Sequence, residues 1–107
     1  GYNNVAPANG IYGTSKSALS TYMKYAALEL AGKGIRCNAV QPGRINTPLI
    51  SNRLLSEEDV TKDIEQYPMK RYGKPEEVAH AIIYLLSDAS AWVTGTNLVI
   101  DGGRSLK

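Results

Sequence analysis

Residues 34–43, with the sequence GIRCNAVQPG, decide the fold that this chain of 107 residues can adopt. The stretch runs from a glycine that can end a helix, through a mainly apolar segment, to a Pro-Gly pair that cannot comfortably extend a β-ladder. It predicts a β-strand over residues 35–41 that follows directly on a helix. A short apolar strand of this kind needs neighbouring strands and helices on both faces of its sheet.

Upstream of this strand, apolar residues recur at helical spacing and predict a helix from about Tyr12 to Ala31. Residues 1–10, rich in Gly, Asn, Ala and Pro, are predicted to be a loop. Small and aromatic residues round much of the helix indicate that two of its faces are covered. The predicted apolar stripe consists of Leu19, Met23, Ala26 and Leu30, extended by Ala18, Tyr22 and Leu28.

Downstream of the strand, the pattern predicts two shorter helices and a second strand. Residues 56–59 resemble a capping box, and the helix that they open is predicted to carry Val60, Ile64 and Tyr67 on its apolar face. Pro75 opens the third helix, and residues 97–101 are predicted to form a buried strand. The third helix has the predicted buried stripe Val78, Ile82, Leu85 and Leu86.

The order helix, strand, helix, helix, strand is typical of the tail of a doubly wound α/β sheet. We therefore predict an α/β fold, the C-terminal part of a Rossmann-like parallel sheet with helices on both faces. Two apolar strands are too few to complete such a sheet. The first residues, Gly1-Tyr2-Asn3-Asn4, have the character of an opened loop, so we expect this chain to be a portion of a single larger domain.

Composition excludes several classes of protein. A net charge of +2, without a basic run, argues against a nucleic-acid partner, and no apolar run is long enough to span a membrane. The single cysteine, Cys37, excludes an internal disulfide and fits a reducing compartment, so a cytoplasmic location is expected. Its strand context indicates a small buried side chain. His80 has no ligand pattern around it, and no metal site is predicted.

Tyr12 and Lys16 are the first candidate for catalysis. Four residues advance a helix by about 6 Å and just over one turn, so both side chains leave the same face. A cation beside a phenol stabilises the phenolate and makes it a better proton carrier near neutral pH. Taken alone, Tyr-x-x-x-Lys more often describes a surface lysine beside a half-buried tyrosine.

The turn after the first predicted strand is the second candidate. In open α/β sheets, ligands bind beyond the carboxyl ends of the strands, which is where residues 42–47 lie. A Pro-Gly turn lets backbone approach a flat ligand closely, and exposed N–H groups with the Thr47 hydroxyl can hydrogen-bond a carboxamide. The simpler alternative is a turn that only ends the strand.

Taken in order, these motifs resemble the C-terminal portion of a classical short-chain dehydrogenase/reductase. The resemblance covers nearly the whole chain and is closest in style to the branch with 3-oxoacyl-(acyl-carrier-protein) reductases and sugar-alcohol dehydrogenases. It is carried by Tyr12-x-x-x-Lys16, residues 34–43, Thr47, residues 71–79 (RYGKPEEVA), residues 85–88 (LLSD), Gly95 and residues 101–103 (DGG).

The resemblance implies an oxidoreductase that moves a hydride between NAD(H) or NADP(H) and a carbonyl or secondary alcohol. Tyr12 would act as general acid/base on the substrate oxygen. Lys16 would hold the nicotinamide ribose hydroxyls and lower the pKa of Tyr12, and both residues would contact the cofactor. Arg44 and residues 48–66 would lie near the substrate, a small carbonyl or alcohol or an acyl thioester, and this stretch would form a mobile lid. Contacts to the nicotinamide end would come from Pro42, Gly43, Ile45 and Thr47.

The resemblance also implies partners and missing parts. The helix from Tyr12 would pack against its copy in a second subunit, and the last strand with residues 102–103 would add a further contact, giving a homo-oligomer, dimer or tetramer. The Gly-rich dinucleotide loop of the family, its catalytic Ser and its Asn do not occur in residues 1–107. We therefore expect the isolated chain to be inactive. The alternative function is a non-catalytic fragment or truncated product that retains only subunit contacts.

Overall fold

A computed structural model of the chain describes residues 7–47 and 56–107, with side chains from residue 17 onward. Residues 1–6 of the predicted loop and residues 48–55 of the predicted lid lie outside the described residues. Two three-residue 3₁₀ turns, Asp88–Ser90 and Arg104–Leu106, accompany the main elements. These main elements are helix α1 (Pro7–Ala31), strand β1 (Ala39–Pro42), helix α2 (Glu57–Ile64), helix α3 (Pro75–Leu86) and strand β2 (Asn97–Ile100).

Strands β1 and β2 are neighbours in a two-stranded sheet. The Ala39 N–H donates to the Thr96 carbonyl, and the Gly43 N–H donates to the Ile100 carbonyl, both at 2.9 Å. In each bond the acceptor lies 57 positions after the donor in the sequence (39 to 96 and 43 to 100), and a constant separation is the pattern of parallel strands. The order of the elements is the predicted one, with α2 and α3 in the connection between the strands.

The described chain separates into two compact units. The first contains the residues up to Ala39 together with Tyr84–Leu98, and the second contains Val40–Ile83 together with Val99–Lys107. Helix α1 belongs to the first unit, whereas the turn after β1, helix α2 and the start of α3 belong to the second.

Helix α1 starts earlier than predicted and ends where predicted. Residues 7–10 are helical, so the prediction of a loop over residues 1–10 was wrong for this part. Proline suits the first position of a helix, since its φ is preset and its missing N–H is not needed there. At the other end, Gly34 adopts φ +74°, and the Gly34 and Ile35 N–H groups bond the Ala31 and Leu30 carbonyls.

The buried face of α1 is narrower than the predicted stripe. Met23 and Ala27 are buried, and a Cβ added to Gly95 would lie 3.6 Å from the Ala27 Cβ. The turn that contains Gly95 therefore packs on this face. The stripe prediction was wrong in its outer positions, because helical periodicity identifies surfaces suited to burial and not the elements that bury them. Within the described residues, Leu19, Tyr22 and Leu28 are exposed.

Strand β1 begins at Ala39, four residues later than predicted, and extends to Pro42. Residues 36–38 are held instead by bonds to the turn before β2. The Asn38 amide nitrogen donates to the Val93 carbonyl, and the Thr96 N–H donates to the Asn38 Oδ1, both at 3.0 Å. Side-chain bonds of this kind replace a strand ladder.

Cys37 belongs to the same segment and is half-buried, not fully buried as predicted. Its N–H donates to the Thr94 Oγ1 at 3.1 Å, and its carbonyl accepts from the Gly95 N–H at 2.8 Å. The backbone of Cys37 thus contributes more defined contacts than its thiol does.

Helices α2 and α3 begin where their caps predict. The Ser56 Oγ accepts the Asp59 N–H at 3.1 Å, and Pro75 is the first residue of α3. Helix α2 ends at Ile64, so the prediction that Tyr67 lies on it was wrong. Tyr67 is buried in the following turn.

The predicted buried stripe of α3 is only partly right. Leu85 is buried and Val78 is half-buried. Ile82 and Leu86 are exposed, Leu86 at 80%. The apolar spacing marked a face that is buried at Leu85, whereas the described residues cover its outer positions, Ile82 and Leu86, only in part.

Replacing Asn38 with Ala should lower the free energy of unfolding by about 1–2 kcal/mol. The Thr96 N–H would lose its acceptor in a partly buried place, and the Val93 carbonyl would keep only the bond from Arg36. Denaturant unfolding checks this value. Asn38→Asp retains the acceptor for Thr96 but turns a carboxylate oxygen toward the Val93 carbonyl, so it should also be less stable than wild type. Wild-type stability in Asn38→Ala would contradict this account.

Candidate active site

Tyr12 and Lys16 lie on one helix, as the sequence predicts. Both fall within α1, which runs from Pro7 to Ala31. The helical backbone places their Cα atoms one turn apart, about 6 Å along the axis. Their side chains lie outside the described ones, so their roles in proton transfer stay predictions.

Gly43 belongs to the predicted cofactor turn of residues 42–47. It lies directly after β1, in a place that admits no side chain. Its N–H donates to the Ile100 carbonyl at 2.9 Å. A Cβ added to Gly43 would lie 2.9 Å from the Asp101 Cβ and 3.1 Å from the Tyr67 Cε1. The backbone therefore packs directly on these two residues, and only glycine allows so close an approach.

Beyond Gly43 the chain pairs briefly with Gly73. The Asn46 N–H donates to the Gly73 carbonyl at 2.8 Å, and the Gly73 N–H donates to the Arg44 carbonyl at 3.0 Å. Ile45 is the central residue of this parallel bridge. In such a bridge the N–H and C=O of the central residue point away from the partner. Ile45 therefore presents one backbone donor and one acceptor on the opposite side.

This arrangement fits a nicotinamide carboxamide. A carboxamide carries an NH₂ donor and a carbonyl acceptor, the complement of the backbone C=O and N–H of Ile45. The turn of residues 42–47 contains four of the predicted cofactor residues, Pro42, Gly43, Ile45 and Thr47. The other two, Tyr12 and Lys16, lie on α1. Their assignment to the cofactor remains a prediction.

Two buried tyrosines, Tyr67 and Tyr72, support the turn of residues 42–47. The Arg44 N–H donates to the Tyr67 hydroxyl at 3.1 Å. The rings of Tyr67 and Tyr72 meet edge to face with their centroids 6.0 Å apart, and both are buried. The main chain of the turn is thus attached to the small core of its unit.

Asp63 joins helix α2 to the turn of residues 42–47. The Asp63 Oδ2 accepts hydrogen bonds from the Arg44 Nη1 at 2.9 Å and from the Tyr72 hydroxyl at 2.6 Å. Asp63 lies in the stretch 48–66 that was predicted to be near the substrate, but its pairing with Arg44 and its hydrogen bond with Tyr72 were not predicted. Arg44 and Asp63 are 19 residues apart in the sequence, so only their opposite charges offered a signal.

The charges of this group favour the ionised arginine and the neutral phenol. Interaction with the Tyr72 hydroxyl, and then the charge of Asp63, raises the pKa of Arg44. Burial, followed by the hydrogen bond to Asp63, raises the pKa of Tyr72. Both shifts keep Arg44 charged and Tyr72 neutral at neutral pH.

A second ion pair fixes the segment that contains Gly73. The Arg71 guanidinium binds both Glu77 carboxylate oxygens, at 2.7 and 2.9 Å, and the Lys74 N–H donates to Glu77 Oε1 at 2.8 Å. These bonds, those of Arg71 first, lower the pKa of Glu77 to about 2. The pair connects the bridge at Gly73 to the first turn of α3.

Comparison with known proteins identifies the family. The chain matches the family model described as Enoyl-(Acyl carrier protein) reductase over residues 1–105. It is 45% identical over 101 residues to glucose 1-dehydrogenase 2 of Bacillus subtilis, which covers 94% of this chain and 38% of that protein. It is 44% identical over 108 residues to a 3-oxoacyl-(acyl-carrier-protein) reductase of Thermotoga maritima, covering 94% of this chain and 43% of that one. The chain belongs to the classical short-chain dehydrogenase/reductase family, as the motifs indicated.

Solved structures confirm the predicted Rossmann-like α/β fold. A short chain dehydrogenase family protein from Francisella tularensis superposes with a TM-score of 0.82 at 33% identity, covering 98% of this chain and 47% of that one. A 4-hydroxyisoleucine dehydrogenase mutant complexed with NADH and succinate superposes with a TM-score of 0.84 at 31% sequence identity. The match covers 96% of this chain and 42% of that one. The chain thus spans less than half the length of these relatives.

Among the described residues, no helix combines the length and the apolar character that crossing a bilayer demands. His, Cys, Asp and Glu side chains in the described part of the chain do not gather in threes or more around a possible metal ion.

Gly43→Ala should lower the free energy of unfolding by about 1–3 kcal/mol, because the new methyl group overpacks the contact with Asp101 and Tyr67. Gly32→Ala is the matched control, since a Cβ there meets nothing within 4 Å. It should leave stability equal or up to about 1 kcal/mol higher. Equal effects of the two substitutions in denaturant unfolding would refute the close contact at Gly43.

Glu77→Gln should lower the melting temperature at neutral pH, because the Gln loses the ionic bonds to Arg71. The folded pKa of about 2 lies below the ordinary value of 4.5, so the contribution is present above about pH 4.5 and is lost as the pH falls toward 2. The difference in melting temperature from wild type should shrink over that range. Glu76→Gln, in the same helical turn, is the control; a difference for Glu77→Gln that is constant with pH would contradict the assignment.

Proposed function

We propose that the whole protein transfers a hydride between NAD(H) or NADP(H) and a carbonyl or secondary alcohol, with Tyr12 as general acid/base. The observation that carries this proposal is that Tyr12 and Lys16 stand one turn apart on helix α1 in a member of this family. The relatives' names support the same reaction class, since they include a glucose dehydrogenase and a 3-oxoacyl reductase.

Tyr12 moves the proton in this reaction. When a ketone is reduced, its phenolic O–H donates a proton to the carbonyl oxygen; when an alcohol is oxidised, the phenolate oxygen takes the hydroxyl proton. The Lys16 ammonium favours the phenolate and so brings the proton affinity of Tyr12 closer to neutral pH. The bound nicotinamide supplies or accepts the hydride on the carbon atom.

The turn of residues 42–47 would hold the nicotinamide end. Its support comes from the backbone donor and acceptor of Ile45, which face away from the bridge with Gly73. Pro42 and Gly43 give close backbone approach, and Thr47 adds a hydroxyl. The related 4-hydroxyisoleucine dehydrogenase was solved with NADH, which supports a nicotinamide cofactor here without distinguishing NAD from NADP.

We assign the substrate side to Arg44 and residues 48–66, which include α2. The substrate would be a small carbonyl or alcohol, or an acyl thioester, in keeping with the relatives. The exposed apolar side chains of α1, including Leu19 and Leu28, support a homo-oligomer, dimer or tetramer, in which a second copy covers this helix.

Tyr12→Phe in the whole protein should lower kcat by a factor of about 10²–10⁴, the usual contribution of a general acid/base, while cofactor binding is kept. Turnover is followed by NAD(P)H absorbance and binding by nucleotide fluorescence. Tyr25→Phe, an exposed tyrosine on the same helix, is the control and should turn over like wild type. Wild-type turnover in Tyr12→Phe would end the proposal.

A second candidate function is that the 107-residue chain alone has no catalytic activity. It is favoured by the extent of the chain, which spans 38% and 43% of two relatives. Titration of the isolated chain with NADH and NADPH tests this. Micromolar binding of either nucleotide, with turnover of a ketone, would rule it out.

A further inference from the structure

The guanidinium of Arg44 is paired, although it lies at the carboxyl end of a sheet strand, where ligands bind. Its Nη1 lies 2.9 Å from the Asp63 Oδ2. The two side chains are 46% and 31% exposed, so the pair lies at the surface and not in the core. A ligand that reaches Arg44 therefore meets a guanidinium whose charge is already balanced.

This pairing is held in place by a buried residue. The Tyr72 hydroxyl donates to the same Oδ2 atom at 2.6 Å, and the Arg44 Cζ lies 6.0 Å from the Tyr72 ring centroid. Tyr72 is buried, which fixes the hydroxyl and the ring. Asp63 is thus oriented toward Arg44 by a group that cannot move away easily, unlike the exposed pair of Lys62 and Glu58 on the same helix.

Pairing changes which ligands Arg44 favours. An arginine without a nearby carboxylate attracts an anion, whereas a paired one must exchange Asp63 for the anion and gains little. Asp63 also repels an incoming negative charge directly. A neutral ligand meets neither cost.

We propose that Asp63 is a specificity-determining residue: by pairing with Arg44 it makes the protein favour substrates that carry no negative charge next to the reacting carbonyl or alcohol. This rests on the proposed function, which places Arg44 beside the substrate. The substrate class is therefore narrowed to neutral alcohols and ketones, including keto esters, in preference to keto acids and hydroxy acids.

Two ketones that differ in charge, acetoacetate and ethyl acetoacetate, test the proposal. Their dissociation constants are measured by NMR titration of the whole protein with excess NAD⁺ or NADP⁺, so that neither ketone is reduced. Wild type should bind the ester more tightly. Asp63→Asn should bind acetoacetate about tenfold more tightly than wild type, the scale of one near-surface charge interaction, and change the ester less than about twofold.

Three variants separate charge pairing from general loosening. In Asp63→Asn combined with Arg44→Gln, the gain for acetoacetate should disappear. Glu58→Gln removes another carboxylate from α2 and should bind acetoacetate within about twofold of wild type, since Asp63 still pairs with Arg44. Tyr72→Phe removes the hydrogen bond that orients Asp63 but keeps both charges, so its gain for acetoacetate should be smaller than that of Asp63→Asn.

Unchanged acetoacetate binding in Asp63→Asn, an equal gain in the double variant, or no binding of either ketone by any variant would overturn the role of Asp63. Charge-dependent binding as described, in a protein whose Tyr12→Phe variant turns over normally, would overturn the proposed function of Tyr12 and keep the selectivity of this surface.

Discussion

The close packing of the Gly43 backbone on Asp101 and Tyr67 is the constraint on which the rest of this surface depends. A Cβ added to Gly43 would lie 2.9 Å from the Asp101 Cβ, so the chain leaves β1 along a path in direct contact with Asp101. That path brings the Arg44 N–H to the Tyr67 hydroxyl and leads the next residues into the bridge with Gly73. The outward direction of the Ile45 backbone groups follows from this sequence of contacts.

The segment that supports the turn is itself fixed by charge and hydrogen bonds more than by apolar burial. Arg71 and Glu77 hold Gly73 against the first turn of α3, and Asp63 joins α2 to Arg44 and Tyr72. Surface ion pairs contribute little singly, but shared acceptors and bidentate geometry favour one arrangement over others. The second unit is therefore shaped by a few directional bonds around two tyrosines.

The sequence predicted what is decided locally. Ser56, Pro75 and Gly34 marked helix ends correctly, because capping and turn chemistry involve residues a few positions apart. Burial of Ile82 and Leu86 was predicted wrongly, since it depends on which elements pack on α3. The pair of Arg44 and Asp63 was missed for the same reason: it exists only after the chain has folded the turn and α2 together. Tyr12 and Lys16 were predicted as a pair from local helix spacing and from the family motif, and their catalytic roles stay a prediction.

Arg44 takes part in one hydrogen-bond network through its backbone and in another through its side chain. Its backbone N–H and C=O belong to the supporting framework with Tyr67 and Gly73, whereas its side chain belongs to the pair with Asp63. Any residue except proline supplies the same backbone groups at this position. Side chains 44 and 63 are thus open to variation during evolution while the geometry of the turn is inherited unchanged, and one scaffold can acquire new ligand preferences by paired substitutions.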